Sequence, residues 1–206
     1  MNKEALKLYA VTDRGCLKNG ISLPVAVELA IKGGVTMVQL REKEMDHDSL
    51  VKEALEVKEV CRKYNVPFIV NDDVYLAKET DADGVHVGQD DMNPDEVRKI
   101  LGKDKIVGVT AKTVEQAQLA EKAGADYLGS GAVFGSTTKK DARYMTMETL
   151  ESITTSVSIP VVAIGGINKN NVHELRGTHI AGVAVVSGIF GEEDIEGGAR
   201  ELLKGL

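Results

Sequence analysis

Eight short apolar runs recur along the chain, at residues 8–12, 37–41, 68–71, 84–87, 106–110, 127–133, 161–164 and 182–187. Their starts are spaced on average by ~25 residues, close to the smallest βα unit. Val, Ile, Leu and Ala dominate these runs, the mixture that fills parallel strands buried on both faces. Aromatic residues are only 4% of the chain and Trp is absent, so the 43% hydrophobic content must supply the core as aliphatic mass.

Helix-like segments fill the intervals. Ser22 is a predicted N-cap, with Pro24 in the first turn and Val25, Leu29 and Ala30 on one stripe. Residues 47–64 carry Leu50, Ala54, Val57 and Cys61 at helical spacing. Further helices are predicted at 95–101, 114–123, 146–155, 170–176 and 192–203, with a short one at 74–80. Such alternation suits either a closed barrel or an open doubly wound sheet. Eight units with no leftover segment favour a single (β/α)8 TIM barrel over residues 1–206, near the lower size limit for that fold.

The net charge of −7 argues against nucleic acid or an anionic membrane as the main partner. It leaves room for small anions bound by a local cation cluster. Cys16 and Cys61 fit no metal or redox spacing, and the N-terminal residues lack a signal-peptide core. With no run approaching the roughly 20 apolar residues of a membrane span, a soluble cytoplasmic protein is expected.

In a barrel, chemistry sits where the strands end. After the second run, Gln39-Leu40-Arg41-Glu42-Lys43 places Gln39, Arg41 and Lys43 on one strand face. Cations facing a barrel mouth need an anionic partner. Asn71-Asp72 and Asp91 follow adjacent strands, and two carboxylates so placed can share Mg2+ with substrate phosphates. Ser136-Thr137-Thr138-Lys139-Lys140 has the composition of a phosphate loop, without a Walker motif. Gly165-Gly166 and Val186-Ser187-Gly188 follow the last two strands, where barrels often bind phosphate. His86 lies within a strand, and a packing or supporting role is expected for it; His47, His173 and His179 are expected in solvent. The sum is two anion sites across one mouth, with a carboxylate pair beside one of them.

Taken in order, these motifs resemble the thiamine phosphate synthase family over nearly the whole chain. The resemblance is carried by Tyr9-Ala10-Val11-Thr12-Asp13, Val38 to Lys43, Val70-Asn71-Asp72, Gly84 to Met92, Thr138 to Asp141, Val162 to Ile167 and Val183 to Ser187. It implies the coupling of a pyrimidine pyrophosphate to a thiazole phosphate. By resemblance, Gln39, Leu40, Arg41, Glu42, Lys43, Asn71, Thr110 and Lys139 bind the pyrimidine pyrophosphate, with Arg41, Lys43 and Lys139 catalytic. Asp72 and Asp91 hold Mg2+, and Ser136, Thr137, Thr138, Gly166, Val186 and Ser187 bind the thiazole phosphate. A homodimer is expected on the same ground. The chain departs from the family at Thr110-Ala111-Lys112, where a Ser and then a His are usual, and at Gly135-Ser136, where Pro-Thr is common. Two other readings compete: a thiazole tautomerase on the same fold, and a phosphate-ligand sensor without turnover.

Overall fold

The computed structural model describes residues 1–18, 20–135 and 144–206. Eight parallel strands close into a barrel in sequence order. They are β1 (Leu8–Val11), β2 (Met37–Leu40), β3 (Phe68–Asn71), β4 (Gly84–Val87), β5 (Ile106–Thr110), β6 (Tyr127–Gly131), β7 (Val161–Ile164) and β8 (Gly182–Val185). Closure comes from β1 pairing with β8, in register Tyr9 to Ala184.

The intervening helices are α1 (Leu23–Lys32), α2 (His47–Lys63), α3 (Val74–Glu79), α4 (Pro94–Leu101), α5 (Val114–Lys122) and α6 (Met147–Ser156). The last two units depart from the periodic expectation. A 3-10 turn, Val172–Leu175, stands where 170–176 was expected to be helical, and two helices follow β8: α7 (Ser187–Phe190) and α8 (Ile195–Gly205). Four strands are also shorter than their runs. β1 stops before Thr12, β2 before Arg41, β6 before Ala132 and β8 before Val186, because the chain leaves the hydrogen-bond ladder at the mouth before each run ends. Ser22 precedes α1 without a side-chain cap bond. The Asp46, Asp73 and Thr113 side chains do cap α2, α3 and α5, accepting backbone N–H groups.

Strand alternation sorts the core into two shells. Leu8, Ala10, Val38, Leu40, Val70, Val85 and Val107 point outward and pack with the helices. Tyr9, Val11, Met37, Ile69, Tyr127, Val162 and Ala184 form a second cluster inside the barrel. Two aromatic rings in so small an interior need space from their neighbours. A Cβ on Gly108 would lie 2.1 Å from Tyr127 Cζ, and one on Gly129 would lie 3.0 Å from His86 Cε1. Glycine in β5 and β6 is thus what admits Tyr127 and His86.

Candidate active site

The C-terminal ends of the strands meet at one rim. At β2, Gln39 is buried inside the barrel and Leu40 is buried against the helices. Leu40 therefore has only its backbone to offer a ligand on the inner side. Arg41 sits just past the strand, its N–H donating to Thr12 Oγ1 at 2.9 Å and its guanidinium 4.0 Å from Asp13. The Arg41 side chain is thus held across the end of β1. Glu42 turns away from this cation, toward Arg14 at 3.6 Å, and Arg14 also pairs with Glu53 of α2. Burial pushes the Glu42 carboxyl up, against the pull of Arg14. Glu42 in this geometry braces the loop after β1, and Lys43 lies exposed beyond it.

Asn71 ends β3, and Asp72 follows in the left-handed backbone region at φ 61° with its N–H donating to His86 O at 2.8 Å. Asn and Asp are the non-glycine residues best able to adopt this conformation. Asp91 is steered by the loop after β4, where Gly88 N–H donates to Asp91 Oδ2 at 2.7 Å. The two carboxylates interact. Partial desolvation, then the Asp91 charge and hydrogen bond, push Asp72 up to about 6, while Asn71 and Lys43 pull it down. A cavity of about 180 Å³ opens beside Asp72 on the helix side of β2 and β3, where Lys43, Asn71 and Asp72 meet the outward-facing Leu40 and Val70 and Leu50 and Leu76 of α2 and α3. Lys43 lies near enough to Asp72 for its charge to act on that carboxylate.

Thr110 ends β5. Its Oγ1 lies 3.0 Å from His86 Nε2 and its carbonyl accepts from Gln89 Nε2 at 2.6 Å. Lys112 is exposed next to it, its backbone N–H donating to Gln116 Oε1 at 2.8 Å. On the far side of the rim, Gly166 has φ 68° and a Cβ there would meet Phe134 O at 2.5 Å, so both backbone sign and space demand glycine. The Asn168 and Asn171 side-chain amides donate to Gly166 O. Phe134 N–H donates to Gly165 O at 3.0 Å, tying the chain after β6 to this glycine pair. Val186 and Ser187 open α7, with Val186 O accepting from Ile189 and Phe190. Ser136, Thr137, Thr138 and Lys139 lie outside the described residues.

The matching family model is thiamine monophosphate synthase, over residues 8–189. The chain belongs to the thiamine monophosphate synthase family. A thiamine-phosphate synthase of Clostridium tetani is 50% identical over 195 residues, covering 95% of this chain and 93% of that protein. One from Caldanaerobacter subterraneus is 49% identical over 205 residues, covering 99% and 95%. Among solved structures, the thiamine phosphate pyrophosphorylase of Pyrococcus furiosus superposes with a TM-score of 0.90 at 40% identity, covering 98% of this chain and 96% of that one.

Within this family frame, residues to which the sequence reading assigned no role also shape the site. Tyr9 and Tyr127 are fully buried polar groups in the barrel interior, with hydroxyls 2.8 Å apart. Thr12 is fully buried and positions Arg41, and Arg14 holds Glu42. The signal for Tyr9 and Tyr127 was available: each occupies an alternate position of a strand whose other positions are small or aliphatic, and a buried phenol needs a partner.

Proposed function

We propose that this protein joins 4-amino-2-methyl-5-hydroxymethylpyrimidine pyrophosphate to 4-methyl-5-(2-phosphooxyethyl)thiazole, giving thiamine phosphate and pyrophosphate. The observation that carries this reading is the interacting Asp72–Asp91 carboxylate pair within reach of the Lys43 charge, at the barrel rim that also carries Arg41. A tautomerase acting on a single phosphate ester has no use for such a pair.

The chemistry needs one bond broken and one formed. The C–O bond between the pyrimidine methylene and pyrophosphate breaks, and its electron pair leaves on the pyrophosphate oxygen. The thiazole nitrogen then gives its lone pair to the methylene carbon. That nitrogen carries no proton, so no general base is needed, in keeping with a rim whose described histidine, His86, is built into the wall. Arg41 and Lys43 would stabilise charge growing on the leaving group, joined by Lys139. Gln39, Asn71 and Thr110 would hold the pyrimidine. Gly166, Val186 and Ser187, with Ser136, Thr137 and Thr138, would hold the thiazole phosphate face to face with it.

Asp72 and Asp91 would hold Mg2+. A carboxylate held up by a neighbouring carboxylate, as Asp72 is by Asp91, belongs to a donor set that a hard divalent cation suits, and Mg2+ is commonly held by one or two carboxylates plus substrate phosphates. Among the described residues there is no larger cluster of His, Cys, Asp and Glu, which favours a site completed by substrate. When bound, the ion would neutralise pyrophosphate charge as it departs. Both cysteines are free thiols, in keeping with a reducing cytoplasm. Among the described residues no helix is long and apolar enough to cross a membrane. A homodimer is the assembly we expect.

The deciding assay gives purified protein both substrates, with Mg2+ or with EDTA. Thiamine phosphate formed only with both substrates and the metal supports the synthase. Isomerised thiazole phosphate without product would establish the tautomerase, and binding without either reaction would establish a sensor.

A further inference from the structure

Five polar side chains from five strands form a single hydrogen-bonded chain through the barrel. Gln39 Nε2 donates to Tyr9 Oη at 2.5 Å, and Tyr9 Oη lies 2.8 Å from Tyr127 Oη. Tyr127 Oη is 3.0 Å from His86 Nδ1, and His86 Nε2 is 3.0 Å from Thr110 Oγ1. The middle of this chain is sealed: both tyrosines are 1% exposed or less. It is also built for, since glycines at positions 108 and 129 make the room these rings occupy.

Each phenol has one hydrogen, so the direction of the chain is set at one end. Gln39 spends its amide N–H on Tyr9. Tyr9 must then send its own hydrogen to Tyr127, because in the opposite sense that hydrogen would be buried without an acceptor. Tyr127 in turn donates to His86 Nδ1, which makes Nδ1 the acceptor and leaves the ring hydrogen on Nε2. His86 Nε2–H donates to Thr110 Oγ1, whose own hydrogen is then free to point at a ligand.

We propose that Tyr9, Tyr127 and His86 are positioning residues that impose opposite hydrogen-bond polarity on the two ends of this relay. Gln39 is held with its carbonyl oxygen as an acceptor, and Thr110 with its hydroxyl as a donor. The relay thereby selects a flat heteroaromatic ring whose exocyclic amino group meets Gln39 and whose ring nitrogen meets Thr110. This rests on the synthase reading above, in which the aminopyrimidine occupies that side of the mouth. It adds that discrimination for the amino group is enforced by residues the ligand does not touch.

Two measurements test it. The first is nitrogen-15 NMR of the His86 ring, assigned by its loss in His86→Gln; the hydrogen is expected on Nε2, and a hydrogen on Nδ1 overturns the relay. The second compares the pyrimidine pyrophosphate with an analogue carrying hydrogen in place of the amino group. The unsubstituted enzyme should prefer the amino compound roughly a hundredfold or more in kcat/KM, since a site built around a hydrogen bond rejects a ligand lacking it. In Tyr127→Phe and in Tyr9→Phe that preference should fall to about tenfold or less, while KM for the thiazole phosphate stays within about twofold. A purely structural loss would lower kcat/KM for both pyrimidines alike and leave their ratio unchanged, and that result also overturns the proposal. Melting curves of both variants report on folding, and the NMR measurement needs neither. Failure of the synthase reading itself would show as no thiamine phosphate from the unsubstituted enzyme, independently of where the His86 hydrogen sits.

Discussion

Asp72 shows how much a single position can be asked to do. It stands at φ 61°, follows the last residue of β3, and carries a carboxyl raised to about 6 by partial desolvation and by Asp91. A raised folded-state value means the proton stabilises the fold at low pH, and that contribution is lost as pH climbs through about 6. Above it the ionised pair is a net cost until a cation arrives. Asp72→Asn, which tolerates the same backbone, should therefore gain melting temperature relative to the unsubstituted protein as pH rises from about 4 to about 7. Mg2+ should raise the melting temperature of the unsubstituted protein at about pH 7 and leave Asp72→Asn nearly unmoved. Thermal melts across pH, with Mg2+ or EDTA, check both. Gly108→Ala tests the opposite kind of residue: a Cβ 2.1 Å from Tyr127 Cζ should cost about 1–3 kcal/mol, read by chemical denaturation.

At the scale of elements, short helices aim the site. α3 has six residues and begins directly after the Asp72 turn, and the Asp73 carboxylate caps it by accepting Leu76 N–H at 2.9 Å. So short a helix has little stability of its own. Asp73→Ala should cost about 1 kcal/mol in unfolding and raise the Mg2+ concentration needed for half-maximal activity, since Asp72 is no longer anchored from its C-terminal side. The periodic reading anticipated α3 as a short helix at 74–80, and matched β3, β4, β5 and β7 at both ends. It overran β1, β2, β6 and β8, because residue type does not mark the last ladder bond and only inter-strand pairing says where a strand stops. It also expected one helix after β8 where two stand, divided at Gly191, whose added Cβ would lie 2.6 Å from Ser187 O.

For the whole molecule, the net charge of −7 and the local chemistry pull in opposite directions. Arg41 and Lys43 reach the rim among acids, so binding of pyrophosphate should depend on the divalent cation more than on the protein's overall field. Pyrophosphate with Mg2+ at roughly a hundred times its Kd should add about 2.7 kcal/mol to unfolding, and either alone much less. Calorimetric melts with each ligand separately and together give the comparison.

Much of this protein follows from its residues in order. Eight aliphatic runs with polar ends, spaced one βα unit apart, leave few ways to bury parallel strands other than a closed barrel. The same ends named Gln39, Arg41, Lys43, Asn71, Asp72 and Asp91 as rim residues, because each is local to a strand terminus. Three-dimensional packing alone decided the rest. That Glu42 turns to Arg14 rather than to the mouth, and that Gln39, Tyr9, Tyr127, His86 and Thr110 form one chain, depends on contacts between residues up to 118 positions apart. Alternation told which way each side chain points; which partner it meets is set by barrel closure, which brings β1, β4 and β6 to a common axis where only a few side chains fit.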